Sequence, residues 1–231
     1  MLTLLYDVHG NLPALEAVLT DAGSQATSWL IGGDVAIFGP RPAETVARLR
    51  ELEGATWIRG NGERWTAAPA QAPGGDPVQG AITFAREALG DELVASLASL
   101  PESAVVEAHT RAWHGSPAGD VRSFFPEPAE DEAELLAGVV ERRLLFGHTH
   151  LPFARTAAGG IELINPGSVG MPFDGDPRAA YALIHPDGTV EHRRVAYDHA
   201  AATALLRDEH PGAAWARTVA ARIEQARADA G

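Results

Sequence analysis

The sequence predicts an α/β fold (α+β in some classification schemes), with two packed mixed β-sheets flanked by helices. Two observations predict it. Short apolar runs alternate with helical segments up to about Pro101, and short strands follow one another more closely after it. The 231 residues, of which 45% are apolar, suffice for one substantial core. No long polar linker divides the chain, so we expect a single domain over residues 1–231, with C-terminal helices at about 198–229 packed on it.

The first half predicts alternating strands and helices. Leu2–Tyr6 is expected to form a buried strand. Asn11 is expected to cap a helix that has Pro13 in its first turn and an apolar stripe on one face. The next predicted elements, in chain order, are strand Thr27–Ile31, helix Pro42–Leu52, strand Ala55–Ile58, loop Ala67–Pro77, and helices Val78–Leu89 and Asp91–Leu100.

The second half predicts a strand-rich segment. A turn at Pro186–Gly188 indicates a hairpin, one helix is expected at about Glu130–Val140, and two helices are expected at the end of the chain. In the last helix one apolar face, which includes Trp215, predicts packing into the core. The predicted strands are Ala104–Ala108, Arg111–Trp113, Arg143–Phe146, Ile161–Ile164, Ala180–Ile184 and Val190–Val195.

Composition restricts the classes of function. The absence of cysteine excludes disulfides, thiolate catalysis and sulfur-ligated metals. A net charge of -13 repels nucleic acid at long range, so non-specific nucleic-acid binding is not expected. The N-terminus has no basic start, and no run reaches the roughly 20 apolar residues of a membrane helix. We therefore expect a cytoplasmic protein without membrane contact, and the sequence leaves its oligomeric state open.

Five predicted strands each stop beside residues able to ligate a metal ion. In α/β sheets the ligand crevice lies beyond the carboxyl ends of the strands, so these side chains are expected to converge. In the D-x-H motif and in the H-x-H motif the two ligand residues are two positions apart. In an extended chain such side chains point the same way. The candidate ligands are Asp7, His9, Asp34, Asn61, His114, His148 and His150.

The donor types favour a metal site, although each residue has an ordinary explanation when taken alone. An aspartate or asparagine after a strand is often a turn or cap residue, and a single histidine is often only polar or buried. Asp34 offers two oxygens that suit bridging two ions, and Asn61 offers a neutral carbonyl oxygen. A nitrogen and oxygen set suits Mn, Fe, Zn, Ni or Co. The combination is poorly explained by caps and turns alone.

The ordered motifs DVHGN, GGD, GNGE, HGSP and GHTH resemble those of the calcineurin-like metallophosphoesterases, and NPGSVG at Asn165–Gly170 resembles a segment of their small prokaryotic phosphodiesterase-like branch. The resemblance implies a four-layer αββα sandwich and two divalent metal ions, with Mn favoured. It implies hydrolysis of a phosphate ester by a metal-bridging hydroxide. By position, Asp7, His9 and His150 would hold one ion, and Asn61, His114 and His148 the other. Asp34 would bridge them, and Asp34, Asn61 and His114 would act catalytically through the metals.

The chain departs from the pattern of this family at three positions. Tyr6 replaces a common serine, Glu63 stands where an aspartate is usual, and Gly62 replaces a histidine that can protonate the leaving group. Such a proton donor typically contributes about 10²–10⁴-fold. Without it we expect a phosphodiesterase that favours good leaving groups over alkyl monoesters. Gly62→His is then expected to raise turnover of poor leaving groups if the loop accepts the side chain.

The expected partner is a small phosphorylated substrate, which includes nucleotides. Arg59 and Arg64 flank Asn61 and are candidates for binding phosphate, or for surface salt bridges. Ser168 is a candidate for anion binding, or for a purely structural turn. Phe124 and Phe125 are candidates for stacking on a base, or for ordinary packing.

Other functions stay open on the sequence alone. Gly62 also suits a catalytically weakened scaffold or binding protein on the same fold. A protein phosphatase and a dinucleoside polyphosphate hydrolase are alternatives within enzymes. A metal amidohydrolase is disfavoured, because it needs a longer barrel and a different ligand order.

Overall fold

The computed structural model describes residues 1–75 and 77–231. Its strands are β1 (Leu2–Leu5), β2 (Ser28–Ile31), β3 (Thr56–Trp57), β4 (Ser103–Glu107), β5 (Thr110–Trp113), β6 (Arg143–Leu145), β7 (Phe153–Thr156), β8 (Glu162–Asn165), β9 (Ala179–Ile184) and β10 (Val190–Val195). Its helices are α1 (Leu12–Ala22), α2 (Pro42–Arg50), α3 (Asn61–Ala67), α4 (Val78–Ala98), α5 (Glu132–Leu135), α6 (His199–Glu209) and α7 (Ala214–Gln225).

Two mixed five-stranded sheets form the centre, which confirms the predicted fold class. The first sheet has the order β10-β9-β1-β2-β3 and the second β4-β5-β6-β8-β7. Strands β1, β2 and β3 are parallel to one another, and so are β5, β6 and β8. Antiparallel pairs complete both sheets, including the β9–β10 hairpin that the sequence predicts. The carboxyl ends of β1, β2 and β3 therefore lie at one edge of the first sheet, and those of β5, β6 and β8 at one edge of the second.

Alternation along β1 explains how the sheets pack. Leu2, Leu4 and Tyr6 belong to the cluster between the two sheets, together with residues of β2, β5, β6 and β8. Leu5 lies on the opposite face and packs with α1 and α2. Successive side chains of a strand point to opposite faces, so the buried run of β1 supplies two cores at once. The helices of the first sheet thus lie outside the two-sheet centre.

Several predicted boundaries need correction. The helix expected at Glu130–Val140 is only the single turn α5. Strand β7 and helix α3 were not predicted, and α3 lies within a presumed ligand loop. The predicted loop Ala67–Pro77 includes Asp76, which lies outside the described residues. The two predicted helices Val78–Leu89 and Asp91–Leu100 are confirmed except at their C-terminal end: α4 comprises both, separated at Gly90, whose φ of 73° and ψ of 159° are non-helical, and it ends at Ala98.

Other predictions are confirmed. The Asn11 side chain caps α1 by accepting a hydrogen bond from the Ala14 amide at 3.3 Å. In α7, Trp215, Val219 and Ile223 are buried and pack with Ile37 and residues of α4 and α6. In the part of the chain that the structure describes, no helix is both long and apolar enough to cross a membrane.

Candidate metal centre

The backbone after each of the five strands leaves the extended conformation. Among the candidate ligands, positive φ angles of 50–68° occur at Asp7, His9, Asp34, His148 and His150. The D-x-H and H-x-H side chains were expected to point the same way because the chain would be extended there. That reason is wrong, because the backbone is not extended at these residues. Left-handed φ angles are costly outside glycine and persist where the surroundings enforce them, often at functional sites.

Hydrogen bonds between neighbouring loops hold this conformation. The His9 amide donates to the Asp34 carbonyl at 2.9 Å, and the Gly147 amide donates to the His114 carbonyl at 2.8 Å. The Ser168 hydroxyl donates to the Asp7 carbonyl at 2.7 Å and accepts from the Met171 amide at 2.8 Å. The loops of both sheets are thus fixed relative to one another.

The predicted ligands meet at this edge. The Asp7 carboxylate lies at the centre of the group. Its Oδ1 atom is 3.4 Å from His150 Nε2 and 3.8 Å from the Nε2 atoms of His9 and His114. His114 Nε2 also lies 3.5 Å from Asp34 Oδ1 and 3.1 Å from Asn61 Oδ1. Two groups can hold a metal ion: Asp7, His9 and His150; and Asp7, Asp34 and His114.

His148 lies farther out than the other candidates. Its ring centroid is 5.5 Å from that of His114, and its amide donates to Asp7 Oδ2 at 3.0 Å. Its side chain is partly exposed, whereas the other six residues are buried. It therefore sits at the mouth of the cluster.

Three histidines are oriented by backbone carbonyl groups. The Nδ1 atoms of His9, His114 and His150 lie 3.1, 2.9 and 2.5 Å from the carbonyl oxygens of Ile37, Gly32 and Met171. A carbonyl oxygen only accepts, so each Nδ1 carries a proton and donates it. In the neutral ring Nε2 then presents its lone pair to the cluster, as a metal-ligating histidine does.

The electrostatics follow from burial and mutual charge. Burial opposes ionisation of Asp7, but the three neighbouring histidines hold its pKa well below the usual range. Burial, reinforced by the charge of His150, lowers the pKa of His9 to about 3. Burial also raises the pKa of Asp34 to about 7. The charge of His114 lowers this pKa, whereas the charges of Glu63 and Asp7 raise it. The pKa of His148 is lowered to about 4 by burial and by the charge of His114.

A cation fits this arrangement. Asp7 Oδ1 is buried and has no hydrogen-bond partner among the described residues. His9 Nε2 and His150 Nε2 lie only 3.1 Å apart, and each Nδ1 already carries its ring's proton. Two lone pairs and an unpaired carboxylate oxygen facing one another repel unless a positive ion lies among them.

Glu63 is a positioning residue whose role the sequence left undecided. Its carboxylate accepts hydrogen bonds from the backbone amides of Asp34, Val35 and Gly60 at 2.9, 2.8 and 2.7 Å. It is 3% exposed. The longer side chain, in place of the usual aspartate, reaches the loops that follow β2 and β3 and holds them together.

The structure corrects the expectation for Gly62. The Gly62 amide donates to Asp34 Oδ1 at 2.6 Å. A Cβ atom at this position would lie 2.7 Å from Ile37 Cγ2 and 2.9 Å from Asp34 Oδ1. The loop does not accept a larger side chain without displacing Asp34, so the condition attached to Gly62→His is not met.

The three substrate-binding candidates differ in their surroundings. Arg59 pairs with Glu102, and Arg64 forms two hydrogen bonds to Asp120 at 2.7 and 2.6 Å. Both arginines line a cavity of 170 Å³ beside His114. Ser168 is fully buried, and its hydroxyl is engaged beneath Asp7. This geometry corrects the expectation that Ser168 contacts substrate, and supports the structural turn.

Two aromatic rings beside the cluster were missed. Phe173 stacks on His150 with centroids 4.3 Å apart and planes at 13°, and Phe38 meets His9 edge-on at 5.4 Å. Neither belongs to a quoted motif, and no local signal marks them. Phe38 has φ 83°, a strained value for a bulky side chain.

Comparison with known proteins agrees with the fold. The family model of the calcineurin-like phosphoesterase superfamily domain matches residues 1–189, and the chain belongs to this family. The family is metal-dependent, and its members are phosphoesterases.

Relatives and a solved structure resemble most of the chain. Phosphodiesterase YfcE of Escherichia coli is 30% identical over 81% of this chain and 89% of its own. The uncharacterised protein MJ0912 of Methanocaldococcus jannaschii is 27% identical over 86% and 88%. The crystal structure of a metallophosphoesterase from Sphaerobacter thermophilus superposes with a TM-score of 0.80 and 29% identity, covering 97% of this chain and 98% of that one.

Proposed function

We propose that the protein is a phosphodiesterase that uses two divalent metal ions, with Mn²⁺ the favoured ion. One ion would be held by Asp7, His9 and His150, and the second by Asn61, His114 and His148. Asp34 would contact both ions. The substrate is a small phosphate diester.

The unpaired Asp7 oxygen carries this proposal. A buried carboxylate oxygen without a donor costs free energy, and three histidine Nε2 atoms within 3.8 Å surround this one. Nitrogen and oxygen donors without sulfur suit Mn, Fe, Zn, Ni or Co. The donor set therefore supports a positively charged site inside a chain of net charge -13.

The residues around the donors keep them in place. When bound, divalent ions polarise phosphate oxygens and lower the pKa of water. Glu63 fixes the loops that carry Asp34 and Asn61. The Gly62 amide holds one oxygen of Asp34, while the Asn61 side-chain amide donates to the other oxygen at 3.2 Å. The site is thus preorganised by its own backbone.

Diesters with good leaving groups suit this site best. Glycine at position 62 offers no proton for a departing oxygen, and the space near its Cα is filled by Ile37 and Asp34. The neighbouring Arg59 and Arg64 are paired with carboxylates. A leaving group that departs as a stable anion needs no proton, whereas an alkoxide does.

We also infer a single domain that includes the C-terminal helices. Leu206, Trp215 and Val219 of α6 and α7 share one buried cluster with Ile37 and Phe38. Those two residues follow Asp34 and lie beside His9. The helices beyond the matched segment therefore support the loop on which the site depends.

The proposal is tested with metal-free protein reloaded with Mn, Fe, Zn, Ni or Co. Bis(4-nitrophenyl) phosphate, 4-nitrophenyl phosphate, glycerol phosphate, a phosphopeptide and a dinucleoside polyphosphate are compared. We expect the aryl diester to be hydrolysed fastest and the alkyl monoester slowest. Asp34→Asn should remove hydrolysis, while Asp91→Asn, whose side chain is 97% exposed, should not.

Two results would contradict the proposal. Equal rates on glycerol phosphate and the aryl diester would refute the leaving-group argument. Two bound metal ions without hydrolysis of any compound would point instead to a catalytically weakened scaffold.

A further inference from the structure

A wide apolar cleft opens beside His148, on the side away from Arg59 and Arg64. Its volume is 530 Å³, within the range of cavities that bind small ligands. Its lining includes Val121, Phe125, Leu151, Phe173 and Ala228, together with His148. Val121 and Phe125 are each 47% exposed, unusually high values for such apolar side chains.

The exposed aromatic ring of Phe125 stands on a rigid support. Its neighbour Phe124 is buried against Phe146, with centroids 4.9 Å apart. The Ser123 hydroxyl lies 3.1 Å from the carbonyl oxygens of Gly115 and Gly147, which follow His114 and precede His148. The backbone carbonyl of Phe125 accepts a hydrogen bond from Arg155 at 3.0 Å. The loop is thus anchored to the strand ends that carry the donors, and Phe125 stays exposed on it.

The charges of the cleft disfavour an anionic group. Arg122 lines the cleft but donates to Asp131 at 2.8 Å and to Glu134 at 2.9 Å. Two carboxylates therefore offset its single positive charge. The smaller cavity beside His114 is more polar than the cleft, with two arginines and two carboxylates in its wall. The two sides of the site thus offer different chemistry to the two substituents of a diester.

We propose that this cleft binds a flat aromatic substituent of the phosphate ester, an aryl group or a nucleobase, against Phe125. The inference rests on the proposed function, since His148 joins the cleft to the metal centre. Because His148 lines the cleft, a phosphate ester bound beside it would have one substituent within reach of the cleft. An aromatic ring there covers the exposed faces of Phe125 and Val121 and removes their apolar surface from water. Ala228, beyond the segment matched by the family model, closes the far wall.

The test compares ligands that differ only by the ring. Binding of phenylphosphonate and methylphosphonate to the Mn-loaded protein is measured by calorimetry, and neither has an ester bond to hydrolyse. Thymidine 5′-monophosphate and 2-deoxyribose 5-phosphate form a second pair, compared as inhibitors of aryl diester hydrolysis. We expect the ring to tighten binding about three- to tenfold in at least one pair. The pair with the larger difference distinguishes an aryl from a nucleobase preference.

Two variants and a control isolate the cleft. Phe125→Ala removes the exposed ring, and Ala228→Trp fills the cleft from an exposed position. Both should bring the ratio of the two dissociation constants close to one. Val140→Ala removes another exposed apolar side chain, 84% exposed and outside the cleft lining, and should keep the ratio of the wild type.

The outcomes separate this inference from the proposed function. If the wild type hydrolyses diesters but no ring preference exists, or both variants keep the preference, the cleft assignment is wrong and the phosphodiesterase stands. If the ring preference disappears in both variants although no diester is hydrolysed, the cleft assignment stands and the proposed activity is wrong.

Discussion

The two halves of the donor cluster differ in how they are enclosed. Asp7, His9 and His150 are 0%, 2% and 4% exposed, and the rings of Phe38 and Phe173 lie against the two histidines. On the other side, His114 and Asn61 are also buried, at 1% and 2% exposed, but His114 borders one cavity and the partly exposed His148 borders the apolar cleft. The first half is closed by protein, and the second half faces space that a substrate can occupy.

This difference indicates that the two halves have different roles. A buried set of fixed donors surrounded by apolar side chains interacts strongly with a cation, because few water molecules screen it. Donors beside a cavity leave room for other oxygens. We infer that the closed half, formed by Asp7, His9 and His150, retains its ion and that the open half, formed by Asn61, His114 and His148, exchanges contacts with substrate.

The largest expected effect comes from removing one histidine in each half. His9→Ala should lose one tightly held ion, measured by elemental analysis after gel filtration, and lower kcat/KM by roughly 10²–10³-fold. His148→Ala should keep that ion and lower kcat/KM by about 10–100-fold. His185→Ala, in the β9–β10 turn, serves as the control for removing a histidine. Equal metal loss in the first two variants would remove the distinction between the halves.

A substitution at Gly62 tests the boundary between the halves, since its amide holds Asp34. Gly62→Ala places a Cβ 2.9 Å from Asp34 Oδ1, and overpacking of this kind costs about 1–3 kcal/mol. We expect a Tm lower by several degrees and slower hydrolysis of aryl diesters, with no gain for Gly62→His on poor leaving groups. Gly74→Ala, where a Cβ meets nothing within 4 Å, is the matched control. A faster Gly62→His enzyme would show that the loop adapts.

The sequence predicted the convergence of the donors better than the path of the backbone. Ligand-type residues after five strands can be read directly from the chain, and parallel pairing brings them to one edge. The left-handed φ angles at Asp7 and His9 cannot be read in this way, because loops from β2 and NPGSVG impose them. Distant contacts decided the conformation there.

The packing of side chains around the site could not be predicted from local sequence patterns either. Phe124 and Phe125 are identical neighbours in the sequence, yet one is 1% and the other 47% exposed. Their environments come from Phe146 and from the C-terminal segment near Ala228, which are remote along the chain. In contrast, the strand β1 and the cap of α1 follow from short-range chemistry, and the sequence placed both correctly.

Metal binding should depend on pH through the groups near the open half. Burial raises the pKa of Asp34 to about 7 in the metal-free protein, so an ion must displace its proton below that pH. His9, with a pKa of about 3, is already unprotonated there. We expect the apparent affinity for divalent ions to fall about tenfold per pH unit below pH 7 for each proton displaced, with proton release on binding.

Calorimetry in two buffers of different ionisation enthalpy measures the released protons. His114 adds to this release: burial opposes its charged form, but Asp34 and Asp7 outweigh burial and raise its pKa. Asp34→Asn should reduce the number of protons released. An affinity that stays constant between pH 6 and 8 would show that Asp34 is already ionised there and would contradict its raised pKa.

The smallest expected effect comes from removing only the hydroxyl of Tyr6, whose ring separates the strand ends of the two sheets. A Cβ at Gly32 or at Gly147 would overlap this ring, so it fills the space between the loops leading to Asp34 and His148. Its hydroxyl is buried without a partner among the described residues, and burial raises its pKa well above the usual value.

Tyr6→Phe should therefore leave unfolding stability unchanged or raise it by up to about 1 kcal/mol. Tyr6→Ser, the residue common in the family, should instead cost about 3–5 kcal/mol through the cavity it leaves. Chemical denaturation of the metal-free and metal-loaded forms measures both, and a Tyr6→Phe protein that loses metal would show that the hydroxyl, rather than the ring, supports the site.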